Sequence, residues 1–276
     1  MPFIDARDGT RLYVKSWGEG PPVVFTHGWA LSADIWDDHA LALADAGYRA
    51  IAYDRRGFGR SEQPARGYDY DGFADDLADV MAATGVTDGV TLVGYSMGSG
   101  EVARYMSRHG GRGVVRAALV SPVVPHLLQG PDNPAGYDPD TFERMTGEML
   151  ADRAHFFRKY IRQLYGVNIV SHAVSAAVLD WTWGITMQAG LAPLLAAREA
   201  FGRTDFRADL PAFSVPTLIV HGTSDSDAPI DATARAAARA IAGARLVEYD
   251  GVNHALPMTH KERLTGDLLT FLHEGA

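Results

Sequence analysis

The chain has 276 residues, 47% of them hydrophobic and 21% charged, with a formal net charge of −9 and no cysteine. That length and balance fit one large α/β domain carrying an insertion. The negative charge argues against nucleic acid or an anionic membrane as a partner, and the missing cysteines remove disulfides, thiolate catalysis and cysteine-ligated metals. The amino-terminal MPFIDARDGT carries charges where a signal peptide needs an apolar stretch, and no run reaches membrane-spanning length, so a soluble, cytoplasmic protein is expected.

An antiparallel hairpin comes first, turning at Asp8-Gly9 into a strand over Leu12 to Trp17. A buried strand over Val23 to Thr26 then runs into His27-Gly28-Trp29-Ala30. An amphipathic helix over Trp36 to Ala46, a strand over Tyr48 to Tyr53, the loop DRRGFGRS at 54–61 and a helix over Phe73 to Thr84 follow. The run Val90 to Val93 is too brief for a helix and reads as a strand, while Val102, Tyr105 and Met106 recur at helical spacing within Glu101 to Arg108. Between them, Gly94-Tyr95-Ser96-Met97-Gly98 falls on a strand-to-helix corner, where small flanking residues let the backbone turn sharply and push the serine outward. It reads as a nucleophile elbow. Gly94, Gly98 and Gly100 do not fit G-x-G-x-x-G, and no Gly-Lys-Ser/Thr follows, which sets aside dinucleotide and P-loop alternatives.

After a strand over Val115 to Ser121 the β rhythm stops. Residues 122–207 hold helix-like pieces between proline and glycine turns, rich in aromatic and methionine side chains such as Phe142, Met145, Phe156, Tyr160 and Trp183. This block reads as a helical cap inserted into a core made of residues 1–121 and 208–276, with most of its aromatics packing cap onto core. Trp181 and Trp183 diverge on a helix, so at most one faces a pocket. The rhythm returns with strands over Thr217 to His221 and Arg245 to Tyr249 and helices over Ala232 to Ala242 and Lys261 to Leu272. Such alternation predicts an α/β fold, a mostly parallel sheet flanked by helices.

A serine hydroxyl needs a base to take its proton and a carboxylate to orient that base. Catalytic groups in such sheets gather at the carboxyl ends of strands. His254 satisfies this, following the last strand and the turn Asp250-Gly251-Val252-Asn253. His221 also ends a strand, but the loop it opens offers Asp225 as the acid. His260 opens the final helix as a local hydrogen-bonding group, and His39, His109, His126, His155, His172 and His273 fall where packing or surface roles suffice. The loop after Val115 to Ser121 holds no acid, so Asp225 is preferred, giving the chain order Ser96, Asp225, His254. Asp227 reads as a turn residue near Pro229. An oxyanion hole needs two backbone N–H groups, assigned to Met97, after the nucleophile, and Trp29, after the second strand. His27 reads as a brace for that loop, and DRRGFGRS as a structural loop rather than an anion clamp.

With HGW at 27–29, DRRGFGRS at 54–61, GYSMG at 94–98, HGTSD at 221–225 and NH at 253–254, the chain resembles the α/β-hydrolase superfamily over essentially its whole length. Within it, HGWALSADIW, GYSMGSGEVARY, VLDWTWG and NHALPMTH resemble the cofactor-free, non-haem haloperoxidase and arylesterase branch. The resemblance implies the triad Ser96, Asp225 and His254, hydrolysis of a small-molecule ester through an acyl-enzyme, acyl transfer to peroxide as a side activity, and no metal or organic cofactor. Two positions depart from relatives. Several carry glycine at Ser99, a change expected to leave the elbow undisturbed. Some peroxide-favouring relatives carry proline at Ala30, so perhydrolysis is expected to be weak here and to rise on Ala30→Pro. The aspartate elbow of haloalkane dehalogenases and epoxide hydrolases is excluded by Ser96. Lactone, lactam and carbon–carbon bond hydrolysis stay open, as do a low-turnover ligand receptor and association into a homo-oligomer.

Overall fold

Strand order in the computed structural model, which describes residues 2–168 and 173–274, is β1-β2-β4-β3-β5-β6-β7-β8. These strands are β1 (Phe3–Asp5), β2 (Arg11–Trp17), β3 (Pro22–Thr26), β4 (Arg49–Tyr53), β5 (Val90–Tyr95), β6 (Val114–Val120), β7 (Thr217–Gly222) and β8 (Arg245–Tyr249). The hairpin β1/β2 and the β2/β4 pair are antiparallel, and every pairing from β4 to β8 is parallel. The mostly parallel α/β sheet read from the alternation is therefore present. Every residue of β5 and β7 is buried, as parallel strands covered on both faces must be.

The strand period of two divides the core. Val23 and Phe25 pack on one face with Leu43 of α1 (Asp37–Asp45) and Leu264, Leu268 and Phe271 of α10 (Lys261–His273). Val24 turns to the opposite face, with Phe73 and Leu77 of α2 (Tyr70–Ala83) and Val102 and Met106 of α3 (Met97–Arg108). Two short helices, α8 (Ala234–Ala240) and α9 (Leu256–Thr259), lie on either side of β8 in the chain.

Among the described residues, four α-helices occupy the chain between β6 and β7: α4 (Pro139–Ala151), α5 (Arg153–Leu164), α6 (Ala176–Thr186) and α7 (Leu191–Arg203). Local chemistry starts three of them. The side chains of Asp138, Asp152 and Ser175 accept from the amides of Asp140, His155 and Val178, satisfying donors that a helix start leaves free. Trp181 is 41% exposed, whereas the Trp183 ring lies under the Arg158 guanidinium and its Nε1 donates to the Ala154 carbonyl. His172, read above as a cap residue, lies outside the described residues. No helix among the described residues is long and apolar enough to cross a membrane.

Candidate active site

The turn from β5 to α3 takes a single residue. β5 runs on to Tyr95 and α3 begins at Met97, four residues before the helix start read from Glu101, and Ser96 between them has φ 53° and ψ −122°. A non-glycine residue is strained there, and its neighbours show why the chain tolerates it. A Cβ on Gly94 would lie 2.6 Å from the Gly98 carbonyl oxygen, and one on Gly98 would lie 2.6 Å from that of Thr26. Only glycine lets the strand, the elbow and β3 approach so closely. The Ser96 amide donates to Val120 at 2.9 Å, and its side chain does not cap α3, so the hydroxyl is free to face outward.

Ser99 does more at this corner than its reading as a tolerated departure allowed. Its Oγ donates to the Ser96 carbonyl at 2.6 Å and accepts from the Val123 amide at 3.0 Å, tying the elbow to the chain that leaves β6.

His254 Nε2 lies 2.8 Å from Ser96 Oγ, and its Nδ1 lies 2.6 Å from Asp225 Oδ2. The three side chains thus meet in one hydrogen-bonded line, with His254 delivered by the loop after β8 and Asp225 by the loop after β7. Asp225 Oδ1 accepts from the amides of Asp227 and Ala228, each at 2.8 Å. Burial works against its charge, but the His254 imidazolium and hydrogen bonds from His221 and His254 outweigh it, holding the carboxyl well below the ordinary range. Burial likewise opposes protonation of His254. The charge and hydrogen bond of Asp225, with the further charge of Asp227, prevail and raise its pKa above 6.5. His221 is spent locally, with Nε2 2.8 Å from the Ala228 carbonyl and 3.2 Å from Asp225 Oδ2.

Met97 opens α3, so its N–H has no intrahelical acceptor and lies at the positive end of the helix dipole. Trp29 lies on the loop after β3 and lines a cavity of about 20 Å³ together with Gly28, Tyr95, Ser96 and His254. Its ring is held from above: Nε1 donates to the Leu194 carbonyl at 3.0 Å, and Phe156, Phe157, Tyr160 and Phe201 pack around it. The next residue, Ala30, has φ 59° inside a turn closed by the Leu31 amide on the Gly28 carbonyl. Proline cannot take that angle, so the small shift expected of Ala30→Pro gives way to a rebuilt turn.

His27 accepts the Arg55 amide on Nε2 at 2.9 Å, while Nδ1 faces the Gly28 carbonyl at 2.7 Å. Burial first, then the Arg55 charge, lowers its pKa well below 6.5, so it braces the loop as a neutral ring. Arg55 is itself buried against Glu101 at 2.6 Å. Arg56 pairs with Asp76 and Arg60 with Asp54, so these three guanidinium groups are engaged within the protein.

The reading of Asp227 as a turn residue needs correction. Its backbone is part of the turn, but the residue also lines both the cavity at Ser96 and a larger one of about 330 Å³ walled mostly by α4 and α5. Tyr160 and Phe201 line both as well. Both aspartates follow the same strand, and the nearness of Asp227 to Pro229 carries no information on whether it also lines a cavity.

The chain matches the α/β hydrolase fold family over residues 21–261. It is 41% identical over 276 residues to a non-haem chloroperoxidase of Kitasatospora aureofaciens, covering 99% of this chain and all of the other. It belongs to the α/β-hydrolase family, in the non-haem haloperoxidase branch. The same hydrolase is 36% identical over 276 residues to a bifunctional esterase/perhydrolase of Acinetobacter calcoaceticus, with 99% of each covered. A bromoperoxidase of Bacillus anthracis superposes with a TM-score of 0.94 at 36% identity, covering 99% of this chain and all of that one. The protein is accordingly an enzyme of the α/β-hydrolase superfamily.

Proposed function

We propose that this α/β-hydrolase cleaves carboxylic esters of small or apolar substrates through an acyl-enzyme on Ser96. The observation that carries the reading is the continuous Ser96–His254–Asp225 hydrogen-bond line, 2.8 and 2.6 Å, at a strained strand-to-helix corner. Ser96 Oγ attacks the ester carbonyl as His254 Nε2 accepts its proton, and the Trp29 and Met97 amides receive the developing oxyanion. His254 then protonates the departing alcohol. Water, deprotonated by the same imidazole, attacks the acyl-enzyme and releases the acid. Asp225 fixes the imidazole tautomer and balances its charge throughout. The similarity to an esterase/perhydrolase supports a weak second outcome, in which hydrogen peroxide replaces water and a peracid leaves.

A fluorophosphonate labelling experiment with peptide mapping tests this. The reagent should modify Ser96 alone, and Ser96→Ala should lose about 10⁶-fold in esterase kcat. Labelling at another serine, or a variant close to wild-type activity, removes Ser96 from the role of nucleophile.

A further inference from the structure

Asp227 is held in place by the proposed triad acid, its backbone N–H donating to Asp225 Oδ1. The residue lines both cavities, as do Tyr160 and Phe201. Oδ1 is approached by the Gln163 amide only at 3.5 Å, the outer limit of a hydrogen bond. Oδ2 is sealed from solvent and meets no hydrogen bond of ordinary geometry among the described residues, although the Tyr160 hydroxyl acts on the carboxyl from nearby. A buried carboxylate oxygen in that condition is costly unless a ligand group supplies the missing interaction.

Five aromatic residues, Tyr137, Phe142, Phe156, Tyr160 and Phe201, line the larger cavity. We propose that this cavity is a cation subsite, taking esters that carry a protonated amine or quaternary ammonium group, which Asp227 and the surrounding ring faces receive while the carbonyl reaches Ser96. The proposal rests on the esterase reading of the same site.

Three observations favour a cation over a neutral donor or an anion. A hydroxyl would engage the carboxylate but gain little from the ring faces, whereas an ammonium group is attracted by both. A substrate anion would meet Asp227 at close range and a chain of net charge −9 at long range. The protein cations lining the cavity, Arg144 and Lys159, are exposed, Lys159 lying 3.4 Å from Glu148 and Arg144 donating to Thr141. Burial pushes the Asp227 carboxyl up to about 6, against the His254 charge and the Tyr160 hydroxyl, which favour ionisation. It is therefore ionised at pH 8.

The test uses acetylcholine and 3,3-dimethylbutyl acetate, esters of nearly the same shape that differ by exchange of N⁺ for carbon. Calorimetry on Ser96→Ala at pH 8, where neither ester turns over, should show the cation binding at least about tenfold tighter. Adding Asp227→Asn should abolish most of that preference, and Asp227→Glu, which keeps the charge, should retain it. The wild-type ratio of kcat/KM for the two esters should follow the binding ratio, and it tests the subsite without any change at position 227. Equal binding, preference for the neutral ester, no detectable binding of the cation, or a preference indifferent to Asp227→Asn overturns the proposal. If the neutral ester is hydrolysed as well as the cation, the subsite fails and the esterase reading survives. If the cation binds preferentially but neither ester is cleaved and Ser96 resists the fluorophosphonate, the subsite stands and the esterase reading fails.

Discussion

Replacing Ala30 with proline asks the oxyanion loop to adopt an angle it does not have. The native φ is 59°, and the pyrrolidine ring holds φ near −65°, so the backbone must rotate by about 120° at that residue. The Gly28–Leu31 turn, closed by the Leu31 amide at 3.3 Å, cannot survive such a rotation. Proline at an incompatible φ destabilises by more than about 1 kcal/mol, and each kcal/mol is worth roughly 2–4 °C of Tm in a domain approaching this size. Trp29 is the residue immediately before, and losing one oxyanion donor costs about 10²–10³ in kcat. Ala30→Pro should therefore melt at least a few degrees lower and lose esterase kcat toward that range, whereas Ala30→Gly, which takes φ 59° without strain, should keep both. Scanning calorimetry and steady-state kinetics on an activated acetate ester measure the two effects. An Ala30→Pro enzyme as stable and as active as wild type would show that the left-handed turn is not needed to place the Trp29 amide.

Asp225→Asn should lower kcat by about 10⁴ through loss of the correct His254 tautomer; a loss under tenfold in steady-state assays would remove Asp225 from the triad. Asp227→Asn acts differently, because the charge it removes helps to raise the His254 pKa. The imidazole then stays neutral to lower pH, so the acid limb of the kcat/KM profile should move toward acid; a limb that stays or moves upward contradicts this. Ser99→Ala strands the buried Val123 amide and leaves the Ser96 carbonyl with only the Ser99 amide as donor, which should cost roughly 1–3 kcal/mol in denaturant unfolding; unchanged stability would show that the elbow does not depend on the hydroxyl. Bromination of a dye with peroxide and bromide should require acetate or another small carboxylate to acylate Ser96, and sustained enzyme-dependent turnover in carboxylate-free phosphate buffer would reveal a different oxidative route.

Much of the architecture was readable because it rests on local patterns. Short apolar runs such as Val90 to Val93 and Thr217 to Ile219 are bounded by turn residues, and the serine between Gly94 and Gly98 announces its own backbone geometry. His254 and Asp225 followed from where strands end. The start of α3 was hidden because Gly98 and Gly100 are poor helix formers, and only the close approach of Thr26, Tyr70 and Phe206 explains why nothing larger is present. The Arg55–Glu101 pair joins residues 46 apart in the chain, and no spacing rule connects them. Asp227 was misread for a related reason. A loop aspartate that closes a turn and one that faces a cavity have the same local sequence, and only helices inserted far upstream decide which it is.

The bonds that complete the catalytic corner span most of the chain. Trp29 to Leu194 closes a loop of 165 residues, and Ser96 to His254 one of 158. Contacts of such high order form late, since loop-closure entropy must be overcome before they contribute. A ribosome releases Trp29 and Ser96 long before Leu194, Asp225 and His254 have been synthesised. The nucleophile is thus made early and armed last: a nascent or truncated chain carries the elbow without the base that makes it reactive.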